Sequence, residues 1–255
     1  METEIETSED GILDGRLRLR QPLRGHRFGH DAILLAAATG ARGGEHAVEL
    51  GSGVGAAGLA LAVRVPGLSV TLLEADPILA ELALGNARIN GLDDRVTALA
   101  LDVGDLAALE TAGFRGGAID RVLMNPPFHD ARRQNVSPDP RRRFAHVGVP
   151  GLLERWIATA AWLLKPCGVL TLIWRADGLD AVAGGLCPAF GEIAVLPVLP
   201  KAKAAPIRVL VRAVKDGRAT ELNYPALSLN DERGRPTASA EAVLRGGNTL
   251  IIAET

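Results

Sequence analysis

From residue 46 onward the chain repeats one unit: a short apolar run, a turn, then an amphipathic run. "HAVEL" leads through "GSGVG" into "AAGLALAVRV", and "LSVTLLEA" leads into "PILAELALGNARIN". "RVTALALD", "IDRVLMN", "GLLERWIATAAWLL" and "GVLTLIW" continue the rhythm. Strands alternating with helices at this spacing predict an α/β fold, a parallel sheet with helices on both faces. Its crossovers are right-handed almost without exception. Ligands of such sheets gather at the carboxyl ends of the strands, near the switch point of strand order. Every motif discussed below falls at one of those ends.

The flanks read differently. Residues 1–10 are acidic and polar and predict a disordered tail. "LDGRLRLRQ" alternates apolar and basic residues, as a hairpin or edge strand does, and Asp31 is placed to cap the helix "AILLAAAT". After residue 190, "EIAVLPVLP", "PIRVLVRAVKD" and "TELNYPALSL" predict three strands forming an antiparallel edge, with a short helix near "SAEAVLR". The chain thus divides into residues 1–40 (tail, basic hairpin and helix) and a main domain over 41–255. Residues 126–149 lack periodicity, and a loop that long in a compact domain is often functional.

Composition excludes several classes. With 47% apolar and 23% charged residues, the chain can bury a sizeable core. The net charge of −2 excludes a basic nucleic-acid coat, so nucleic acid would have to meet a local patch. The two cysteines, Cys167 and Cys187, show no metal or redox spacing and are expected as small core residues. No cluster of metal-ligating residues stands out. The apolar runs are far shorter than the ~20 residues of a membrane helix, and a cytoplasmic protein is expected.

Gly51, Gly53 and Gly55 form the first turn. Glycine there allows positive φ and close approach of a ligand to the backbone, and the helix that follows offers free N–H groups. Glu49 precedes the turn. Glu74 ends the next strand, where a carboxylate can accept both hydroxyls of a ribose. This favours an adenosine-bearing cofactor without separating NAD from S-adenosylmethionine. Asp102 ends the third strand and can either accept from an adenine amino group or cap a helix, a role for which Asp105 also competes.

"MNPPF" ends the fourth strand. Proline fixes φ and donates no hydrogen bond, and the residue before it is held extended. The Asn125 side-chain oxygen and the Pro126 carbonyl are therefore available to accept both N–H bonds of a planar amino group. Phe128 can stack on the ring that bears it, worth ~1–3 kcal/mol for a base.

"VELGSGVG", Glu74, Asp102 and "MNPPF", in this order, resemble S-adenosylmethionine-dependent N-methyltransferases with an [ND]PP[FY] signature, the small-domain group. The resemblance covers roughly residues 45–175. It implies a Rossmann-like class I methyltransferase fold, a seven-stranded, mostly parallel sheet with an antiparallel C-terminal edge. It also implies that Glu49, Gly51, Gly53 and Gly55 line the methionine part of S-adenosylmethionine, that Glu74 binds its ribose and that Asp102 meets its adenine. Asn125, Pro126 and Phe128 would be catalytic. "LDGRLRLRQPLRGHRFGHDAILLAAA" is similar to the start of bacterial tRNA1(Val) adenine-37 N6-methyltransferases, which would bring Phe28 and Asp31 near the cofactor. His129, after the motif, is instead like enzymes that modify guanine N2 in ribosomal RNA.

Arg16 and Arg18, with Arg132, Arg133, Arg141, Arg142 and Arg143 beside the motif, are the expected RNA contacts, since arginine on phosphate gives affinity and register. The expected reaction is methylation of an exocyclic base amine, adenine N6 in tRNA foremost. The alternatives are guanine N2 in rRNA, glutamine N5 in a protein, or RNA binding without catalysis. His129 and His146 could contact RNA or accept protons.

Overall fold

A computed structural model of the chain describes residues 6–24, 27–127 and 151–254. Strands β3 (His46–Leu50), β4 (Ser69–Glu74), β5 (Val96–Ala100), β6 (Ile119–Met124) and β7 (Leu164–Arg175) are parallel, in the spatial order β5-β4-β3-β6-β7. The order reverses between β3 and β6, which makes that gap the switch point. β9 (Arg208–Lys215) runs antiparallel to β7, and β8 (Phe190–Leu199) antiparallel to β9. These seven strands are the expected mostly parallel sheet with its antiparallel edge.

Helices cover both faces. On one lie α1 (His30–Ala38), α2 (Ala56–Arg64) and α3 (Pro77–Ile89), whose core includes Leu34, Leu35, Leu59, Leu61 and Leu72. On the other lie α4 (Leu106–Thr111), α5 (Leu152–Leu163) and α6 (Leu179–Leu186), packed on Val48, Leu50, Leu73, Met124 and Leu170. A last helix, α7 (Ala238–Leu244), rests on α1. Asp76 caps α3 by accepting from Ile78 N at 2.9 Å, with Pro77 at the first helical position. Among the described residues no helix is long and apolar enough to cross a membrane.

Several expectations are corrected. Residues 7–10, expected in the tail, are strand: β1 (Thr7–Ile12) pairs antiparallel with β2 (Leu17–Pro22), completing the hairpin as a separate two-stranded sheet, and residues 1–5 lie outside the described residues. The strand expected in "TELNYPALSL" is two short pieces, β10 (Glu221–Asn223) and β11 (Leu227–Ser228), both parallel to β8. Pro225 lies between them and lacks the donor a continuous ladder needs. Asp31 does not cap α1. The N-cap is Gly29, with no side-chain bond, and Asp31 stands in the first turn. Cys167 and Cys187 are exposed, not core. Each sits at an irregular end of an element, Cys167 at φ 62° near the start of β7 and Cys187 as the C-cap of α6.

Candidate active site

The carboxyl ends of β5, β4, β3 and β6 carry Asp102, Glu74, the glycine turn and Asn125 in that spatial order. Adjacent strands lie about 4.8 Å apart, so four neighbouring strands bring these residues onto one edge, astride the switch point.

The turn is built by three glycines at positive φ: Gly51 at 66°, Gly53 at 55° and Gly55 at 85°. They serve different ends. A Cβ on Gly51 would strike the indole of Trp156, so this glycine makes room for a core side chain of α5. Gly55 is the left-handed N-cap of α2. Gly53 faces open space, with nothing within 4 Å of an added Cβ, and is the place where a ligand can approach the backbone.

Each acid on this side of the switch point already has an internal partner. Glu74 accepts from Gly53 N at 2.8 Å through one oxygen and from Asp76 N at 3.0 Å through the other. A carboxylate has about four acceptor sites, so both oxygens keep capacity for hydroxyl donors. Asp102 accepts from Gly104 N at 2.8 Å. The cap of α4 is Asp105, bonded to Ala108 N at 3.0 Å, which leaves Asp102 exposed at the strand end. Glu49 departs from its expected place. Its side chain lies under α2, accepting from Gly58 N at 2.7 Å, rather than on the open side of the turn. Burial pushes its carboxyl up to about 8, against the lowering effect of the Gly58 bond and with a further push from the Glu74 charge.

Beyond the switch point the accounting differs. Asn125 Oδ1 is shielded from solvent and, among the described residues, accepts no hydrogen bond. Pro126 is buried behind it, and neither Pro126 nor Pro127 has an N–H to offer. Among the described residues Ser52 Oγ, inside the glycine turn, is also buried without a partner, and so is Thr171 Oγ1, which sits within the sheet on β7 at the level of Leu123. An unpaired buried acceptor costs about 1–3 kcal/mol, and two of them at one edge is the signature of a site that expects a ligand. The set fits an adenosine-bearing sulfonium: an approachable backbone at Gly53, residual acceptors on Glu74 and exposed Asp102, and orphaned oxygens at Ser52 and Asn125.

For four other expected residues the structure shows the partners. Asp31 is paired with Arg208, Nε to Oδ2 at 2.9 Å, at the start of β9. Phe28 lines a cavity formed with the hairpin and α7, and none of the residues around that cavity belongs to the glycine turn. Arg16 donates to the carbonyls of Leu13, Arg245 and Gly246, joining the hairpin to the end of α7. Arg18 donates to Ile89 O at 3.0 Å and pairs with Glu9. Phe128, His129, Arg132, Arg133, Arg141, Arg142, Arg143 and His146 lie outside the described residues. Among the described residues no three His, Cys, Asp or Glu side chains come together as a metal site requires.

One residue that the motif reading missed is Asn86 on α3, fully buried. Its amide donates to Val54 O at 3.0 Å and to Arg20 O at 2.9 Å and accepts from Arg20 N at 2.7 Å. It ties the glycine turn to the hairpin. A polar amide on the inner face of a helix, four residues before a second one at Asn90, was the available signal, because asparagine is a poor interior helix former.

This fold and this edge define a class I, Rossmann-like methyltransferase. Residues 30–196 match the methyltransferase small domain family, and the chain belongs to it. The chain is 35% identical over 157 residues to tRNA1(Val) (adenine(37)-N6)-methyltransferase of Porphyromonas gingivalis, covering 60% of each protein. It is 30% identical over 155 residues to release factor glutamine methyltransferase of Chlorobaculum tepidum, covering 58% of this chain and 52% of that protein. The matches thus span less than two thirds of these curated relatives. The crystal structure of a predicted O-methyltransferase from Agrobacterium tumefaciens superposes with a TM-score of 0.73 at 27% identity, over 86% of this chain and 98% of that one.

Proposed function

We propose that the protein is an S-adenosylmethionine-dependent N-methyltransferase that modifies an exocyclic amine of an RNA base, adenine N6 of tRNA foremost. The observation that carries this reading is the orphaned Asn125 oxygen at the end of β6, followed by two residues without N–H groups. An amine with two N–H bonds is the ligand that such an acceptor, paired with the Pro126 carbonyl, suits best. The similarity to a tRNA adenine methyltransferase supports the choice of base.

The cofactor supplies an electrophilic methyl group on sulfur. The residues proposed to hold it are Gly53 with the turn around it, Glu74 at the ribose and Asp102 at the adenine. Asn125 Oδ1 and the Pro126 carbonyl accept the two N–H bonds of the target amine and so fix the direction of its nitrogen lone pair. Holding reacting groups in line supplies much of a barrier reduction of this kind. A base reaches such a clamp only after leaving its stack.

The test is transfer of label from S-adenosylmethionine to hypomethylated tRNA, rRNA, DNA and release factor by wild type and Asn125→Ala. Label recovered as N6-methyladenosine in tRNA, lost in the variant, is the expected result. Guanine label in rRNA would move the target and keep the clamp. Label only in release factor would replace the RNA reading with the glutamine one.

A further inference from the structure

A cavity of about 730 Å3 opens between the hairpin turn, the start of α1 and the end of α7. It is separate from the strand ends described above. Its floor is apolar, with Leu13 and Ile33 buried, and the half-buried Phe28 ring forms part of its wall. The charged side chains around it are Asp14, His30, Glu241 and Arg245. Among the described residues none of these four makes a hydrogen bond or ion pair through its side chain. The case of Glu241 and Arg245 is pointed. They stand four apart on α7 and its cap, with the acid first, the arrangement that favours an ion pair along a helix, yet they are not joined. An apolar floor with a few unspent polar groups, at a volume within roughly 300–1,000 Å3, describes a ligand pocket.

Its place in the fold narrows the ligand. Arg175, at the end of β7, is the register partner of Arg208 on β9, and Arg208 holds Asp31, the neighbour of His30. β6, which ends at the asparagine clamp, is next to β7. The ion pair beside the cavity therefore lies two strands over from β6, on the same carboxyl edge of the sheet as Asn125. The uncapped first turn of α1 adds N–H groups at the mouth.

We propose that this cavity binds a nucleotide flanking the target base on the RNA, a proposal that rests on the RNA methyltransferase reading. Phe28 stacks on the flanking base. Arg245 meets a phosphate, and Asp14 or Glu241 accepts from ribose hydroxyls or a base amino group. Phe28 thereby serves the RNA substrate, not the cofactor beside which the sequence resemblance would put it.

The experiment compares wild type with Phe28→Leu, which keeps apolar volume and removes the flat ring, and with Arg245→Ala, an exposed position. Three quantities are measured: affinity for the hypomethylated tRNA labelled in the transfer assay, kcat/KM for that RNA, and affinity for S-adenosylhomocysteine by calorimetry. In each variant RNA affinity and kcat/KM should fall roughly ten-fold, the size of one lost stacking or phosphate contact, with cofactor-product affinity retained. The difference from wild type should vanish on a substrate cut down to the target nucleotide alone. RNA affinity retained in both variants of an enzyme that methylates RNA would overturn the pocket and leave the parent reading standing. So would a loss confined to S-adenosylhomocysteine affinity, which would return Phe28 to the cofactor. A wild type that methylates no RNA would overturn both.

Discussion

The two sides of the switch point are provisioned differently. On the β3–β5 side every acid has an internal partner: Glu49 on Gly58, Glu74 on Gly53 and Asp76, Asp102 on Gly104. On the β6 side Asn125 Oδ1 has none among the described residues. The first side is preformed, since its hydrogen bonds hold the turn in shape before any ligand arrives. The second keeps an unpaired acceptor whose cost, about 1–3 kcal/mol, is offset only when a donor is bound. The carboxylates that hold the fold and the amide oxygen left for a ligand thus end adjacent strands, with the unpaired Ser52 hydroxyl in the turn between them.

The largest expected effect breaks this contrast from the β6 side. Asn125→Ala removes an acceptor that contributes nothing to the folded state, so thermal stability should hold or rise. Methyl transfer should fall by about 100-fold or more, on the scale of losing one positioned polar group from a site. Paired measurements of kcat and Tm check it, and a variant that lost stability along with activity would show that the oxygen has a structural partner after all. Asn86→Ala probes the other side. It deletes three buried or part-buried bonds that bind the turn and the hairpin to α3. We expect a loss of about 2 kcal/mol, a fall in Tm of roughly 5 °C, and weaker cofactor-product binding, because Val54 O no longer anchors the turn.

The same contrast explains what the sequence made legible. The strand ends, the glycine turn and the cap at Asp105 are local signals, each written within a few residues, and all of them appear in the fold. The sequence placed Glu49 beside the turn but not on a face of the sheet. Strand alternation puts it with Leu72 and Leu123 on the side covered by α2, opposite Val48 and Leu50, and so beneath the helix instead of beside a ligand. Partners remote in the chain left no mark: Asp31 and Arg208 are 177 residues apart, and nothing near either announces the pair. The arginines of the hairpin show why a charge run is ambiguous. Arg16 and Arg18 alternate as an exposed face should, yet both spend their guanidinium groups on backbone carbonyls of neighbouring elements.

The effect furthest from methyl transfer is a pH dependence of stability, and it separates the two sides by a different measurement. Glu49 has its folded-state value raised from 4.5 to about 8, with burial the main cause. The folded chain therefore holds a proton that the unfolded chain releases between those values. Stability from this group is fully present below about 4.5, declines as pH rises and is gone above about 8. The slope inside the window is at most about 1.4 kcal/mol per pH unit. Glu49→Gln is neutral at every pH and keeps an oxygen for Gly58 N, so its unfolding free energy should lack this slope and should exceed that of wild type at pH 9. Denaturant melts of both proteins from pH 5 to pH 9 measure it. Parallel curves would mean that Glu49 ionises in place, as a carboxylate facing solvent or cofactor would. The acid would then belong with the ligand-directed groups, and the division drawn at the switch point would have to move to include β3.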